Sequence, residues 1–151
     1  MSQENVEVVR TYVALLVRNL RAHWDEPRSY ATDFERGESD PGSREVFELL
    51  DNDVRWQSTI GEVRTGKLGF AKMADELLAI SAQYSLTLDG ITDLGGDHVL
   101  GEWTSELTGE GSGATGDVQV YSLFTLRDGL IREIVEYPTR SDALKAVGLE
   151  E

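Results

Sequence analysis

The second half of the chain contains four runs of alternating apolar and polar residues, separated by glycine-containing turn sequences. The runs span Tyr84 to Ile91, His98 to Thr108, Asp117 to Leu126 and Leu130 to Tyr137, and the turns are DLGGD, GEGSGATG and RDG. A period of two is typical of half-buried strands, and short turns connect antiparallel neighbours. This half is therefore predicted to form a meandering antiparallel sheet that needs a cover on its apolar face.

The first half of the chain is predicted to be mainly helical. Apolar residues recur every three or four positions over residues 3 to 20, and again over about 67 to 83, as in amphipathic helices. A short helix after Ser43 leads into a first strand from Val54 to about Ser58, and a last helix starts near Ser141. The order of elements predicts an α+β fold.

Residues 21 to 43 interrupt this pattern. From His23 to Ser43 the chain carries six acids, two arginines, two prolines and two glycines, without an apolar period. Such composition is typical of a connection, so a long acidic loop is predicted here, with a single helical turn within it as the alternative. With no internal repeat and 151 residues in total, we expect residues 1–151 to form a single domain.

Composition excludes several classes of function. Acidic residues outnumber basic ones 28 to 14, for a net charge of -14, which repels nucleic-acid backbones and anionic membranes. Cysteine is absent, so disulfides, thiolate nucleophiles and thiolate metal sites are excluded. The polar start of the sequence and the lack of a long apolar run predict a cytoplasmic protein without a membrane span.

Side chains alternate along each predicted strand, which divides them between two faces. The inward set carries three aromatic residues and three hydroxyls on otherwise apolar faces: Trp56, Ser58, Trp103, Ser105, Ser122 and Phe124. Hydroxyls and aromatic rings together can orient a small or cyclic ligand, although aromatic residues also fill cores and hydroxyls also bind nearby backbone. The opposite face is half apolar, and a homodimer is predicted through Tyr121, Leu123, Val135 and Tyr137.

The sequence resembles the SnoaL-like branch of the nuclear transport factor 2-like superfamily. The likeness rests on MSQENVEVVR, LLDNDVRW, a glycine-bounded helix, the hairpin FTLRDGLIREI and the tail YPTRSDALKAVGL. Two departures are a longer segment at residues 21 to 43 and Thr139 at a position where aspartate is common. The resemblance implies a cone-shaped α+β barrel, in which a curved antiparallel sheet wraps N-terminal helices around a cavity and a short C-terminal helix follows.

The resemblance also selects a face for the last strand. Alternation alone leaves both faces of this strand partly apolar, whereas the family pattern directs Glu136 into the cavity, with Tyr12 contributed by the first helix. Burial among aromatic residues raises the pKa of a carboxylate and suits it to proton transfer next to a carbonyl. The alternative is that Glu136 forms a rim ion pair with Arg132, two residues away.

Two functions remain open from the sequence. One is binding of a small, mostly apolar molecule with acid-base chemistry of the cyclase or isomerase type, in which Glu136 is catalytic. The other is a non-catalytic, dimeric ligand carrier or interaction module. His23 and His98 are the only histidines and lack metal-ligand spacing, so no metal and no cofactor are predicted.

Overall fold

The computed structural model describes residues 2–79, 81–109 and 115–149. Its elements in chain order are α1 (Ser2–Asp25), α2 (Tyr30–Arg36), α3 (Pro41–Glu48), β1 (Leu50–Gln57), β2 (Val63–Thr65), α4 (Gly66–Ala79), β3 (Ser81–Gly95), β4 (His98–Gly109), β5 (Thr115–Arg127), β6 (Leu130–Tyr137) and α5 (Arg140–Ala146). Most of the predicted turn GEGSGATG lies outside the described residues. The predicted α+β class, with N-terminal helices and a short C-terminal helix, is confirmed.

The six strands form one curved sheet in the order β2-β1-β6-β5-β4-β3. All neighbouring strands are antiparallel except β1 and β6, which are parallel. The sheet is open rather than a closed barrel, because β2 and β3 lie at opposite edges of this order. The barrel predicted from the family resemblance is therefore wrong, while the curved antiparallel sheet is present.

The segment predicted as a loop at residues 21 to 43 is largely helical in the structure. α1 continues to Asp25, and α2 begins after Ser29, whose side chain accepts a hydrogen bond from the Thr32 amide. Gly37 ends α2 in the left-handed conformation, with φ of 69°, which glycine adopts without a steric cost. The loop prediction failed because a seven-residue helix is too short to display an apolar period.

The main core lies between the helices and the inner face of the sheet. Val9 and Tyr12 of α1 and Phe70 of α4 pack against Phe124 and Ile134 of the sheet. The Tyr12 ring meets the Phe124 ring edge to face, with centroids 5.6 Å apart. Burial of these large apolar side chains supplies the main driving force for placing the helices on this face.

Helix α5 covers part of the outer face. Ala143 and Leu144 pack with Leu100, and Tyr121 and Tyr137 lie against this second cluster. The sheet register places Leu100, Leu123 and Val135 side by side on neighbouring strands, and Leu123 and Val135 are only 5% and 8% exposed within a single chain. The homodimer through this face stays a prediction.

The described helices do not include one that is long and apolar enough to cross a membrane.

Candidate functional site

A cavity of about 140 Å³ lies between the inner face of the sheet and the helices. Its helical wall includes Tyr12 and Asn19 of α1, Tyr30 of α2 and Phe70 of α4, and its sheet wall includes residues of β1, β4, β5 and β6. Aromatic and aliphatic side chains dominate both walls. Among the described lining residues, Glu136 is the one carboxylate, and lysine, arginine and histidine are absent.

Strand register brings the residues of the sheet wall together. Trp56 of β1 is paired with Ile134 of β6, which is paired with Phe124 of β5. In the adjacent row, Glu136 of β6 is paired with Ser122 of β5. Because residues in one such row share a face of the sheet, this register directs both Trp56 and Glu136 toward the helices.

Glu136 is held by a hydrogen bond from a residue far away in the sequence. Trp56 Nε1 donates to Glu136 Oε1 at 2.7 Å. Burial raises the pKa of Glu136 above its ordinary value, and the hydrogen bond from Trp56 opposes this rise. The charged form of a buried carboxylate is disfavoured when no cation compensates for lost solvation, and none of the ion pairs among the described residues includes Glu136.

The alternative partner of Glu136 lies elsewhere. Arg132 is exposed to solvent. The ion pair that β6 forms involves Glu133, whose carboxylate lies 3.0 Å from Arg55 Nη1. Since Glu133 and Glu136 are three residues apart on a strand, they lie on opposite faces of the sheet. The structure therefore separates the paired carboxylate of β6 from the carboxylate in the cavity.

A second tryptophan, Trp103, holds the hydroxyl of Ser122, which is paired with Glu136 across β5 and β6. Trp103 Nε1 donates to Ser122 Oγ at 2.8 Å, and Ser122 is 2% exposed. A serine hydroxyl that accepts one hydrogen bond still has a proton to donate. Gly101 makes room for this arrangement, because a Cβ at that position would lie 3.0 Å from the Phe124 ring and 3.7 Å from Trp103 Nε1.

The cavity brings together most of the residues that sequence alternation and the family resemblance nominated. Glu136 and six of the seven candidate ligand-binding residues line it: Tyr12, Trp56, Trp103, Ser105, Ser122 and Phe124. Ser58 does not line it. β1 ends at Gln57, and Ser58 begins the turn to β2, where its amide donates to the Glu62 carbonyl at 2.9 Å.

Sequence alternation missed the lining residues contributed by the helices. Asn19, Tyr30, Ser43 and Phe47 all line the cavity. Asn19 Nδ2 donates to the Gly42 carbonyl at 3.0 Å, which fastens α1 to the start of α3. Tyr30 and Ser43 belong to the segment predicted as a loop, where no periodic pattern could assign a direction to their side chains.

A second pocket of about 290 Å³ lies next to the cavity, lined by His23, Arg28, Ser29, Asp75, Leu78 and Ala79. Leu78 lines both spaces. The ring of His23 lies against that of Tyr30, with centroids 5.5 Å apart. Burial lowers the pKa of His23, the Asp75 carboxylate opposes this shift, and Arg28 adds to it.

Nothing in the described residues suggests a metal centre. No group of three or more histidines and carboxylates in that part of the chain could hold a metal ion.

The curved sheet and the helices that cover its inner face give this chain an α+β fold of the nuclear transport factor 2-like type. Residues 19–134 match the model of the SnoaL-like domain family. The match covers most of the chain, so the protein belongs to this family. A search of curated proteins finds no significant match.

Solved structures with the same fold are distant in sequence. TerC, co-crystallized with polyporic acid, is 15% identical, with a TM-score of 0.61 over 90% of this chain and 92% of TerC. A candidate SnoaL-like polyketide cyclase from Jannaschia sp. CCS1 is 20% identical, with a TM-score of 0.61 over 89% of this chain and 85% of its own. An NTF2-like protein of unknown function from Burkholderia pseudomallei K96243 is 14% identical, with a TM-score of 0.61 over 96% and 98% of the two chains. At these identities the likeness shows the fold alone.

Proposed function

We propose that this protein binds a small, mostly apolar carbonyl compound in its cavity and that Glu136 transfers a proton at the carbon next to the carbonyl. The observation that carries the proposal is the carboxylate of Glu136, which Trp56 Nε1 positions at 2.7 Å in a cavity whose described lining residues include no other carboxylate and no cationic side chain. A carboxyl group whose pKa is raised toward the working pH serves well both as proton acceptor and as proton donor.

The direction of the pKa shift supports this role. Burial raises the pKa of Glu136, which makes its carboxylate a stronger base than an exposed one. The hydrogen bond from Trp56 occupies Oε1, so the other oxygen is the one we assign to proton transfer. Trp56 then acts as a positioning residue, because it fixes the orientation of the carboxylate without touching the transferred proton.

Ser122 supports the same chemistry from the opposite strand. Loss of a proton next to a carbonyl builds negative charge on the carbonyl oxygen, and a fixed hydrogen-bond donor stabilises that charge. Ser122 is paired with Glu136 across β5 and β6, and its oxygen already accepts from Trp103. We assign its remaining proton to the carbonyl oxygen of the ligand.

The comparisons support the proposal only at the level of the family. The Jannaschia protein is described as a candidate polyketide cyclase, and TerC was co-crystallized with polyporic acid. A cavity that holds a partly buried carboxylate is compatible with this fold, while the proposed reaction itself rests on Glu136.

Proton exchange provides a direct test. The protein is incubated with cyclohexanone in D2O, and deuterium incorporation next to the carbonyl is followed by proton NMR. We expect the wild type to accelerate exchange over buffer and Glu136→Gln to lower the accelerated rate by about a hundredfold or more, the usual contribution of a positioned acid or base. Glu133→Gln is the matched control, since it alters a carboxylate of the same strand whose side chain pairs with Arg55 outside the cavity.

Three results would count against this assignment. Equal exchange in the wild type and Glu136→Gln would remove Glu136 from the reaction. An equal loss in Glu133→Gln would indicate damage to the strand instead of loss of the acid. Binding of the ketone without any exchange would favour the alternative function, a non-catalytic ligand carrier.

A further inference from the structure

The size of the cavity restricts what it can hold. Its volume is about 140 Å³, whereas pockets for drug-sized ligands usually measure about 300–1,000 Å³. A dry apolar cavity of about 150 Å³ engineered in another protein binds benzene. By this comparison, the cavity accommodates one six-membered ring, and a fused ring system does not fit wholly inside it unless a wall moves.

The sheet side of the cavity has little freedom to move. Phe124 is 0% exposed and contacts Tyr12 edge to face. Trp103 and Trp56 are fixed by their hydrogen bonds to Ser122 and Glu136. Buried side chains that are held by packing or by hydrogen bonds resist displacement, because interiors are close-packed. The volume is therefore set by the helical side.

Tyr30 is a helical residue at the boundary between the cavity and the second pocket. It lines the cavity, and its ring lies against His23, which lines the second pocket of about 290 Å³. Leu78 borders both spaces. Leu78 and the adjacent rings of Tyr30 and His23 thus lie between the two spaces, and we expect removal of the Tyr30 ring to join the cavity to the second pocket.

The position of Tyr30 depends on a contact between two helices. Asp75 of α4 accepts hydrogen bonds from Ser29 Oγ at 2.8 Å, from the Tyr30 amide at 2.9 Å and from the Ala31 amide at 3.1 Å. The last two are the first amides of α2, which have no partner within the helix. This carboxylate therefore fastens the start of α2, and with it Tyr30, to α4.

We propose that the cavity selects single-ring ligands and that Tyr30 is the residue that sets this limit. The inference deepens the proposed function, on which it rests for the carbonyl part of the ligand. The limit itself follows from the walls of the cavity and applies to any apolar molecule.

Two matched series of probes test the size limit. The ketones are cyclohexanone and 2-decalone, and the hydrocarbons are benzene and naphthalene. In each pair the larger probe has more apolar surface and would bind more tightly if space were available. We expect the wild type to bind the single-ring member of each pair at least tenfold more tightly, as measured by calorimetry and by tryptophan fluorescence.

Variants of the wall test the role of Tyr30. Tyr30→Ala should shift the affinity ratio at least tenfold toward the two-ring probe, whereas Tyr30→Phe, which keeps the ring, should retain the wild-type ratio. Leu78→Ala provides a second opening in the same wall if Tyr30→Ala does not fold. Thermal unfolding of each variant confirms that the protein under study is folded.

The outcomes separate the two proposals. Tighter binding of the two-ring probes by the wild type would overturn the size limit, and unchanged ratios in both wall variants would overturn the role of Tyr30. Hydrocarbon binding without ketone binding would overturn the carbonyl part of the proposed function. The affinities for benzene and naphthalene would then test the size limit by themselves. Failure of both series in the wild type would overturn both proposals.

Discussion

Asp75 fastens α2 to the rest of the protein, and its removal is expected to release that helix. α2 has seven residues, a length at which an isolated helix is unstable in water, so its position depends on tertiary contacts. The carboxylate of Asp75 accepts three hydrogen bonds at the start of this helix, two of them from partly buried amides. The negative charge also lies at the positive end of the helix dipole.

The expected cost of Asp75→Ala follows from these contacts. Loss of a helix cap costs about 0.5–2 kcal/mol, and loss of a hydrogen bond to a charged group about 1.5–3 kcal/mol. Ser29 still caps the helix through the Thr32 amide, so the losses do not add in full. We expect about 2–4 kcal/mol, which corresponds to a decrease in Tm of roughly 5–12 °C for a chain of this size.

Glu76→Ala is the matched control. Glu76 is the next residue of α4 and forms an ion pair with Arg64 at 2.8 Å, with its side chain about half exposed. An exposed pair contributes about 0.2–1 kcal/mol, so this change should lower Tm by only a few degrees at most. Both variants remove one carboxylate from the same helix, which leaves the capping of α2 as the main difference.

Two assays measure the effect of Asp75→Ala. Thermal unfolding gives the global cost, and hydrogen exchange with mass spectrometry shows where protection is lost. In Asp75→Ala the amides of α2 should exchange faster while those of β4 and β5 retain protection, because local opening does not require loss of the sheet. Equal stability losses in Asp75→Ala and Glu76→Ala, or unchanged exchange in α2, would refute the role of Asp75.

Three further changes test the packing and the charges. Gly101→Ala places a methyl group 3.0 Å from the buried Phe124 ring and should destabilise the fold by about 1–3 kcal/mol. Urea unfolding measures this loss, and an unchanged midpoint would contradict the tight packing around Gly101. His23 has a lowered pKa in the folded protein, so the unfolded chain binds more protons than the folded one as pH falls through 6.5, and stability should decrease. His23→Phe should make Tm less dependent on pH in this range. The same dependence of Tm on pH in the wild type and His23→Phe would contradict this role of His23. Glu136 has a raised pKa in the folded protein, so stability should fall as pH rises from about 4.5 through the folded pKa. The Tm of Glu136→Gln should therefore rise relative to that of the wild type over this range. Parallel curves of Tm against pH for the two proteins would contradict burial of the charge.

The sheet could be predicted from the sequence because alternation is a strong and local signal. The bounds of β6, Leu130–Tyr137, agree with the predicted run, and the inward direction of Ser122 and Phe124 follows from a period of two. The sequence does not predict α2, because the only local signals for this helix are its capping residues, Ser29 at the start and Gly37 at the end. Caps without a periodic segment between them also occur in ordinary turns.

The candidate site was predictable only in part. Alternation left both faces of β6 open for Glu136, since each carries apolar residues, and the family resemblance selected the inner one. Ser58 was assigned to a strand that ends one residue earlier. Tyr30 and the hydrogen bond from Trp56 to Glu136 depend on contacts between distant parts of the chain, which no local pattern encodes.

The parallel pairing of β1 with β6 determines when the site can form during synthesis. Trp56 and Glu136 are 80 residues apart, and a chain emerging from the ribosome presents its N-terminal part first. Until β6 emerges, Trp56 has no carboxylate partner and the helices around it have no complete sheet to cover. The nascent protein therefore carries an uncovered apolar surface until β6 has emerged, and the candidate acid reaches its place only then.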